Sequence, residues 1–65
     1  MRKVILEFSI GKYKILKLDG EKPHRRYTKY VIEGTEYDIV PVYDASNCIA
    51  VESMENFQGK VVEFK

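Results

Sequence analysis

The sequence predicts an all-β domain, a small antiparallel barrel, and three observations predict it. The apolar residues are mainly Val, Ile, Tyr and Phe, with few Leu and Ala. β-Branched and aromatic side chains of this kind suit a pleated, half-buried surface. Short runs of alternating apolar and polar residues recur along the chain, separated by turn-forming residues. Finally, 65 residues make a single domain, residues 1–65, that buries only about 60% of the surface its unfolded chain exposes. No second domain, cofactor-binding α/β unit or deep pocket fits in that length.

In chain order, Val4, Leu6 and Phe8 alternate with Lys3, Ile5 and Glu7, the period-two signature of a strand. Ser9–Lys12 is a bend, and Tyr13–Leu18 is the next strand. Its apolar parity slips between Ile15 and Leu16, which predicts a bulge or strong bend there. Asp19 and Gly20 break this strand, and Glu21–Arg25, with Pro23 inside, form a polar loop.

Residues 26–43 read as a hairpin. In Glu33-Gly34-Thr35-Glu36, a glycine first of the two central residues suits a type II′ turn. Counting outward from Gly34-Thr35 pairs Ile32 with Tyr37, Tyr30 with Ile39, Thr28 with Pro41 and Arg26 with Tyr43 on one face. The other face pairs Val31 with Asp38, Lys29 with Val40 and Tyr27 with Val42. Tyr30 then points into the core, and Lys29 sits diagonal to Asp38. Pro41 cannot donate to a ladder, so it belongs at an edge or bulge.

Asp44–Asn47 is a turn and Cys48–Glu52 a strand. Ser53–Gly59 suits a single helical turn, capped by Ser53 and ended by Gly59. Lys60–Phe64 is the last strand, with Val62 and Phe64 on one face. Taken together, five short strands with one helical turn before the last resemble the SH3-like barrel in arrangement and length. The resemblance is architectural, because the binding aromatics of peptide-recognising SH3 domains are not evident. An OB-fold is the alternative, although it generally needs a longer chain.

Composition narrows the function. The apolar share of 45% supports one core and the charged share of 32% keeps the surface polar, a globular balance. Cys48 is the single cysteine, whereas so small a chain made for an oxidising compartment usually carries several disulfides. After Arg2 and Lys3, Glu7 interrupts the apolar run too early for an export signal. No stretch approaches the roughly 20 apolar residues of a membrane span. A cytoplasmic location is therefore expected, with no membrane partner.

The net charge of +1 hides an uneven distribution: residues 1–30 hold nine Lys/Arg against three Asp/Glu, and residues 31–65 hold two against seven. Folding either preserves this split as a polarised surface or interleaves the halves so that their charges offset. The stretch EKPHRRYTKY, residues 21–30, interleaves cations with aromatic rings, as phosphate neutralisation and base stacking require. With Tyr30 assigned to the core, the candidate contact residues are Lys22, His24, Arg25, Arg26, Tyr27 and Lys29, joined by Tyr43 at the hairpin's open end. Lys12, Lys14 and Lys17 extend the patch if their strand lies alongside. The sequence pI near 7.8 is below the values above 9 typical of domains built for nucleic acid.

Other constellations carry less. Tyr27 and Tyr43 are the two of five tyrosines expected to be exposed, and exposed tyrosines favour protein interfaces. Cys48, His24 and Asp44 supply the residue types of a nucleophile, base and orienting carboxylate, but their spacing does not assemble them. One Cys and one His do not make a zinc site, Glu33, Glu36, Asp38 and Asp44 do not match a calcium loop, and the four scattered glycines form no phosphate cradle. The sequence is therefore read as a non-enzymatic binding module without cofactor or metal. It is expected to act through protein–protein contact, with a partner or with itself. Weak phosphate-directed nucleic-acid binding through the basic 12–30 region is the alternative.

Overall fold

The computed structural model describes residues 2–42 and 45–65. They form six antiparallel strands: β1 (Arg2–Ile10), β2 (Tyr13–Leu18), β3 (Lys29–Ile32), β4 (Thr35–Asp38), β5 (Cys48–Val51) and β6 (Val61–Phe64). The strands make one open sheet of order β4-β3-β6-β1-β2-β5. The expected five strands, SH3-like barrel closure and helical turn are each corrected.

There are six strands because both arms of the hairpin count and every other predicted segment also pairs. The sheet stays open because beyond β4 only one isolated bridge, Val40 opposite Ala50, reaches β5. Pro41 follows at once, and without an N–H it cannot extend that ladder. No helix forms among the described residues. Ser53 does accept a local hydrogen bond from the Glu55 N–H at 3.1 Å. The segment then turns inward, burying Phe57 to 1% exposure, and the Phe57 N–H donates to the Glu7 carboxylate at 2.6 Å. A backbone committed to that long-range bond does not close a helical turn.

β1 belongs to both halves of the sheet. Arg2 and Lys3 pair with Val62 and Val61 of β6, whereas Val4 onward pairs with β2. The register shifts between Val4 and Leu6, so Ile5 is the extra residue of a bulge. The irregularity expected within β2 lies in its partner instead: β2 alternates regularly, with Lys14, Leu16 and Leu18 buried. The bulge changes which residues of β1 face the core. Val4 is buried on one side of it, and Leu6, Phe8 and Ile10 are exposed on the other. Gly11, at φ 60°, is followed by Lys12 with an ordinary negative φ, the pattern of the type II′ turn that joins β1 to β2.

The turn between β3 and β4 is of the other primed type. Glu33 and Gly34 both have positive φ, 50° and 79°, as type I′ requires. Its central residues are therefore Glu33-Gly34 rather than Gly34-Thr35. The pairs become Ile32–Thr35, Val31–Glu36, Tyr30–Tyr37 and Lys29–Asp38. This register differs from the expected one by two residues, so every side chain keeps its face. Tyr30 and Ile32 are buried as expected. The outer pair Tyr27–Val42 does not form within β3 and β4, which span only Lys29–Asp38, and Tyr43, expected opposite Arg26, lies outside the described residues.

The core comprises Val4, Leu16, Leu18, Tyr30, Ile32, Ile49, Val51, Phe57, Val62 and Phe64, with Tyr27, Tyr37 and Ile39 packed against it. Its aromatic members meet edge to face: Tyr30 with Phe64 at 5.5 Å and Tyr37 with Phe57 at 5.6 Å between ring centres. Burial pushes the Tyr30 hydroxyl pKa up to about 12, so it stays neutral throughout the physiological range.

Candidate functional site

The bulge at Ile5 determines what the β1–β2 hairpin shows to solvent. Opposite residues of antiparallel strands share a face, so the pairs Phe8–Ile15 and Ile10–Tyr13 project outward together. The row through Phe8 and Ile15 runs on to Ala50 of β5, which is buried, and half-buried Val40 beyond β4. Leu6 opens the row beside it, opposite Lys17, with Cys48 next across. Leu6 is 51% exposed, Phe8 49% and Ile10 58%. Of the five large apolar side chains exposed in the described chain, four fall between Ile5 and Ile10. Single exposed apolar residues are ordinary, but a contiguous group marks a contact surface.

The same stretch is also a sheet edge. The β6 side of β1 is occupied as far as Val4, whose N–H donates to the Lys60 carbonyl at 2.9 Å and whose carbonyl accepts from the Gly59 N–H at 2.8 Å. Beyond it, among the described residues, Leu6–Ile10 have strand partners only in β2. An edge of this kind offers unpaired backbone donors and acceptors to another strand.

The opposite face of this hairpin is held in place by a carboxylate. Glu7 accepts from the Lys14 ammonium at 3.4 Å and from the Phe57 N–H at 2.6 Å. Lys14 also donates to Asn56 Oδ1 at 3.3 Å. Burial pushes the Glu7 pKa up, but the Phe57 N–H and the Lys14 ammonium outweigh it and hold the carboxyl below its ordinary value. Glu7 thus ties the Asn56–Phe57 segment to β1 and fixes which side of the hairpin faces inward.

The basic loop is differently arranged. Lys22 donates to the Val42 carbonyl at 3.1 Å. Arg25 donates to the Phe64 and Arg26 carbonyls, and Lys29 is ion-paired with Asp38. His24 is exposed and lies 3.8 Å from Glu21. Tyr27, expected to be exposed, is half-buried: its ring packs edge-on against Phe64 at 4.9 Å and tilted against Tyr30 at 6.1 Å. Arg26 is exposed, and Tyr43 lies outside the described residues. Lys14 faces inward and Lys12 pairs with Glu52 at 3.3 Å, so of the lysines expected to extend the patch Lys17 alone projects outward from β2. The Lys12–Glu52 and Lys29–Asp38 pairs join the basic half of the chain to the acidic half.

A groove of about 250 Å³ is lined by Tyr13, Glu36, Tyr37, Asp38, Val40 and Glu52. Each of its carboxylates already has a lysine partner: Lys65, Lys29 and Lys12 respectively. Cys48 sits half-buried on β5, its thiol 3.8 Å from Asn47 Oδ1, and Asp44 lies outside the described residues. Among the described residues, no group of three His, Cys, Asp or Glu side chains is placed to hold a metal, and no helix is long and apolar enough to cross a membrane.

Sequence reasoning did not single out Leu6, Phe8, Ile10 and Ile15 as a contact surface. The signal for them was the adjacent apolar pair Ile5-Leu6, which breaks strict alternation, together with Lys14 on the parity of Leu16 and Leu18. Compared with known proteins, the chain matches no family model, no curated protein and no solved structure.

Proposed function

We propose that this chain is a non-enzymatic binding module that works by protein–protein contact, and that the contact is made by the outward face of the β1–β2 hairpin. The observation that carries this reading is the concentration of exposed large apolar side chains between Ile5 and Ile10. Burying apolar surface is worth about 25 cal/mol per Å², so covering several half-exposed side chains of this size contributes several kcal/mol to an association. The engagement of Lys22, Arg25 and Lys29 with the protein's own carbonyls and Asp38 also favours protein contact over the nucleic-acid alternative, which needs those cations free for phosphate.

Photo-crosslinking tests this reading. A benzophenone amino acid is placed at position 8 or at position 26, and adducts are collected from cells that make the protein. Discrete protein adducts from position 8, absent from position 26, are expected. Nucleic-acid adducts from position 26 together with none from position 8 would overturn the assignment.

A further inference from the structure

We infer that the partner of the β1 edge is β1 of a second copy, paired antiparallel about a two-fold axis at Phe8, so that one sheet runs through both copies. This rests on the protein-contact reading above and adds to it the occupant of the edge and its register; the outward faces of the two copies then form one continuous apolar strip.

The register follows from symmetry. A two-fold axis relating two antiparallel neighbouring strands stands perpendicular to the sheet and leaves each residue on its own face. Opposite residues also share a face, so they must have the same parity, and the axis must pass at a residue rather than between two. The free stretch of the edge is Leu6–Ile10, and its central residue is Phe8. Centring there uses the whole stretch: Phe8 meets Phe8, Leu6 meets Ile10, and Glu7 meets Ser9. A centre at Leu6 would set the second strand against Val4, whose backbone is already bonded to Gly59 and Lys60.

The pairing is also chemically self-complementary. On the outward face the three exposed apolar side chains of one copy continue those of the other, with the aromatic pair at the axis. On the inward face a carboxylate lies across from a hydroxyl donor, not from a like charge, which a strand pair would not tolerate. Of the charges near the seam, Glu7 is neutralised by Lys14 and Lys12 by Glu52 within each copy, and Lys17, opposite Leu6, is exposed, so association separates no ion pair. A domain of this size has a small core, and oligomerisation is a common way to supplement it. A closed two-fold also removes the exposed edge, which would otherwise template open-ended aggregation.

The test uses the full chain with Cys48→Ser, so that only an introduced thiol reacts. In the inferred dimer the Cα atoms at position 8 are about 4.5–5.5 Å apart across the axis, within disulfide range. Those at position 6 are separated by four residues along the strand, roughly 14 Å, which is out of range. Under mild oxidation Phe8→Cys is expected to form a covalent dimer. Leu6→Cys alone and Ile10→Cys alone should not, whereas a mixture of the two should give the 6–10 heterodimer. Sedimentation equilibrium of the unaltered chain should give twice the 7.6 kDa monomer mass, and Phe8→Lys should weaken association at least tenfold by placing like charges on the axis. A chain that stays monomeric at millimolar concentration, or one that crosslinks at 6–6 as readily as at 8–8, would overturn the inference. If position 8 nevertheless forms photo-adducts with a different protein, the protein-contact reading survives and the self-pairing alone fails.

Discussion

The two tight hairpins of this molecule, β1–β2 and β3–β4, have similar two-residue turns and opposite outward faces. On β3–β4 the outward positions carry Lys29, Glu36 and Asp38, and around them Lys29–Asp38, Lys65–Glu36 and Lys60–Glu33 form ion pairs. Charges of this kind on an edge strand discourage a second strand from docking. On β1–β2 the equivalent positions carry Leu6, Phe8, Ile10, Tyr13 and Ile15 with Lys17 as the single charge, next to an edge without that protection. The chain thus has the means to guard an edge and applies them at β4 but not, among the described residues, along Leu6–Ile10 of β1. The proposed contact would cover this apolar stretch, as the charges cover the edge of β4.

The comparison can be tested first where its two halves differ most. Tyr30 and Phe8 are aromatic residues in the middle of their hairpins, one 2% and the other 49% exposed. Tyr30→Ala is expected to cost about 3–5 kcal/mol, the usual loss for emptying a buried aromatic site, read as a fall in the urea midpoint. Glu7 comes next. Glu7→Gln keeps the shape but removes the charge that binds Lys14 and the Phe57 N–H, for a loss of about 1–3 kcal/mol at neutral pH. The Glu7 carboxyl titrates below its ordinary value in the folded chain. Its contribution is therefore complete above the unfolded glutamate pKa of about 4.3 and is lost as pH falls through the lowered folded value. In Glu7→Gln the urea midpoint should depend less on pH across that acid window. If the wild type and variant show equal acid dependence, Glu7 does not tie Phe57 to β1.

Smaller effects are expected at the guarded hairpin. Gly34→Ala forces a side chain into a φ of 79° and should cost about 1 kcal/mol, whereas Glu33→Asn should be neutral or slightly stabilising, because Asn-Gly suits a type I′ turn. A double-mutant cycle on Lys29 and Asp38 should return little coupling, since both groups reach solvent, and what there is should shrink with added salt. A large, salt-insensitive coupling there would mean that the charged face helps hold the fold together and does not merely shield the edge.

How much of this was legible in the sequence depended on whether a residue's role was local. The all-β class, the site of the β3–β4 hairpin and the burial of Tyr30 followed from alternation and turn residues. The faces of β3 and β4 were read correctly although the turn was placed one residue late, because a two-residue register error preserves parity. The single-residue bulge at Ile5 had the opposite consequence: it puts Leu6 and Phe8 outside although Val4, in the same alternation, is buried. The clue lay in Ile5-Leu6 and in the misplaced parity of Lys14, but which strand held the irregularity depended on pairing between distant segments. The same holds for Phe57, whose inward turn depends on a carboxylate fifty residues away, and for the basic loop, whose cations reach the Val42 and Phe64 carbonyls, 20 and 39 residues distant in sequence.

The most direct test asks whether Leu6 and Phe8 serve contact or fold. The double variant Leu6→Ser/Phe8→Ser should be unfolded with urea at micromolar concentration, where the unaltered chain is kept dissociated. The account predicts a midpoint within about 0.5 kcal/mol of the unaltered chain, as for other exposed sites, together with loss of photo-adducts from a probe at position 10. A loss of several kcal/mol in the dilute monomer would place these side chains in the core and contradict it.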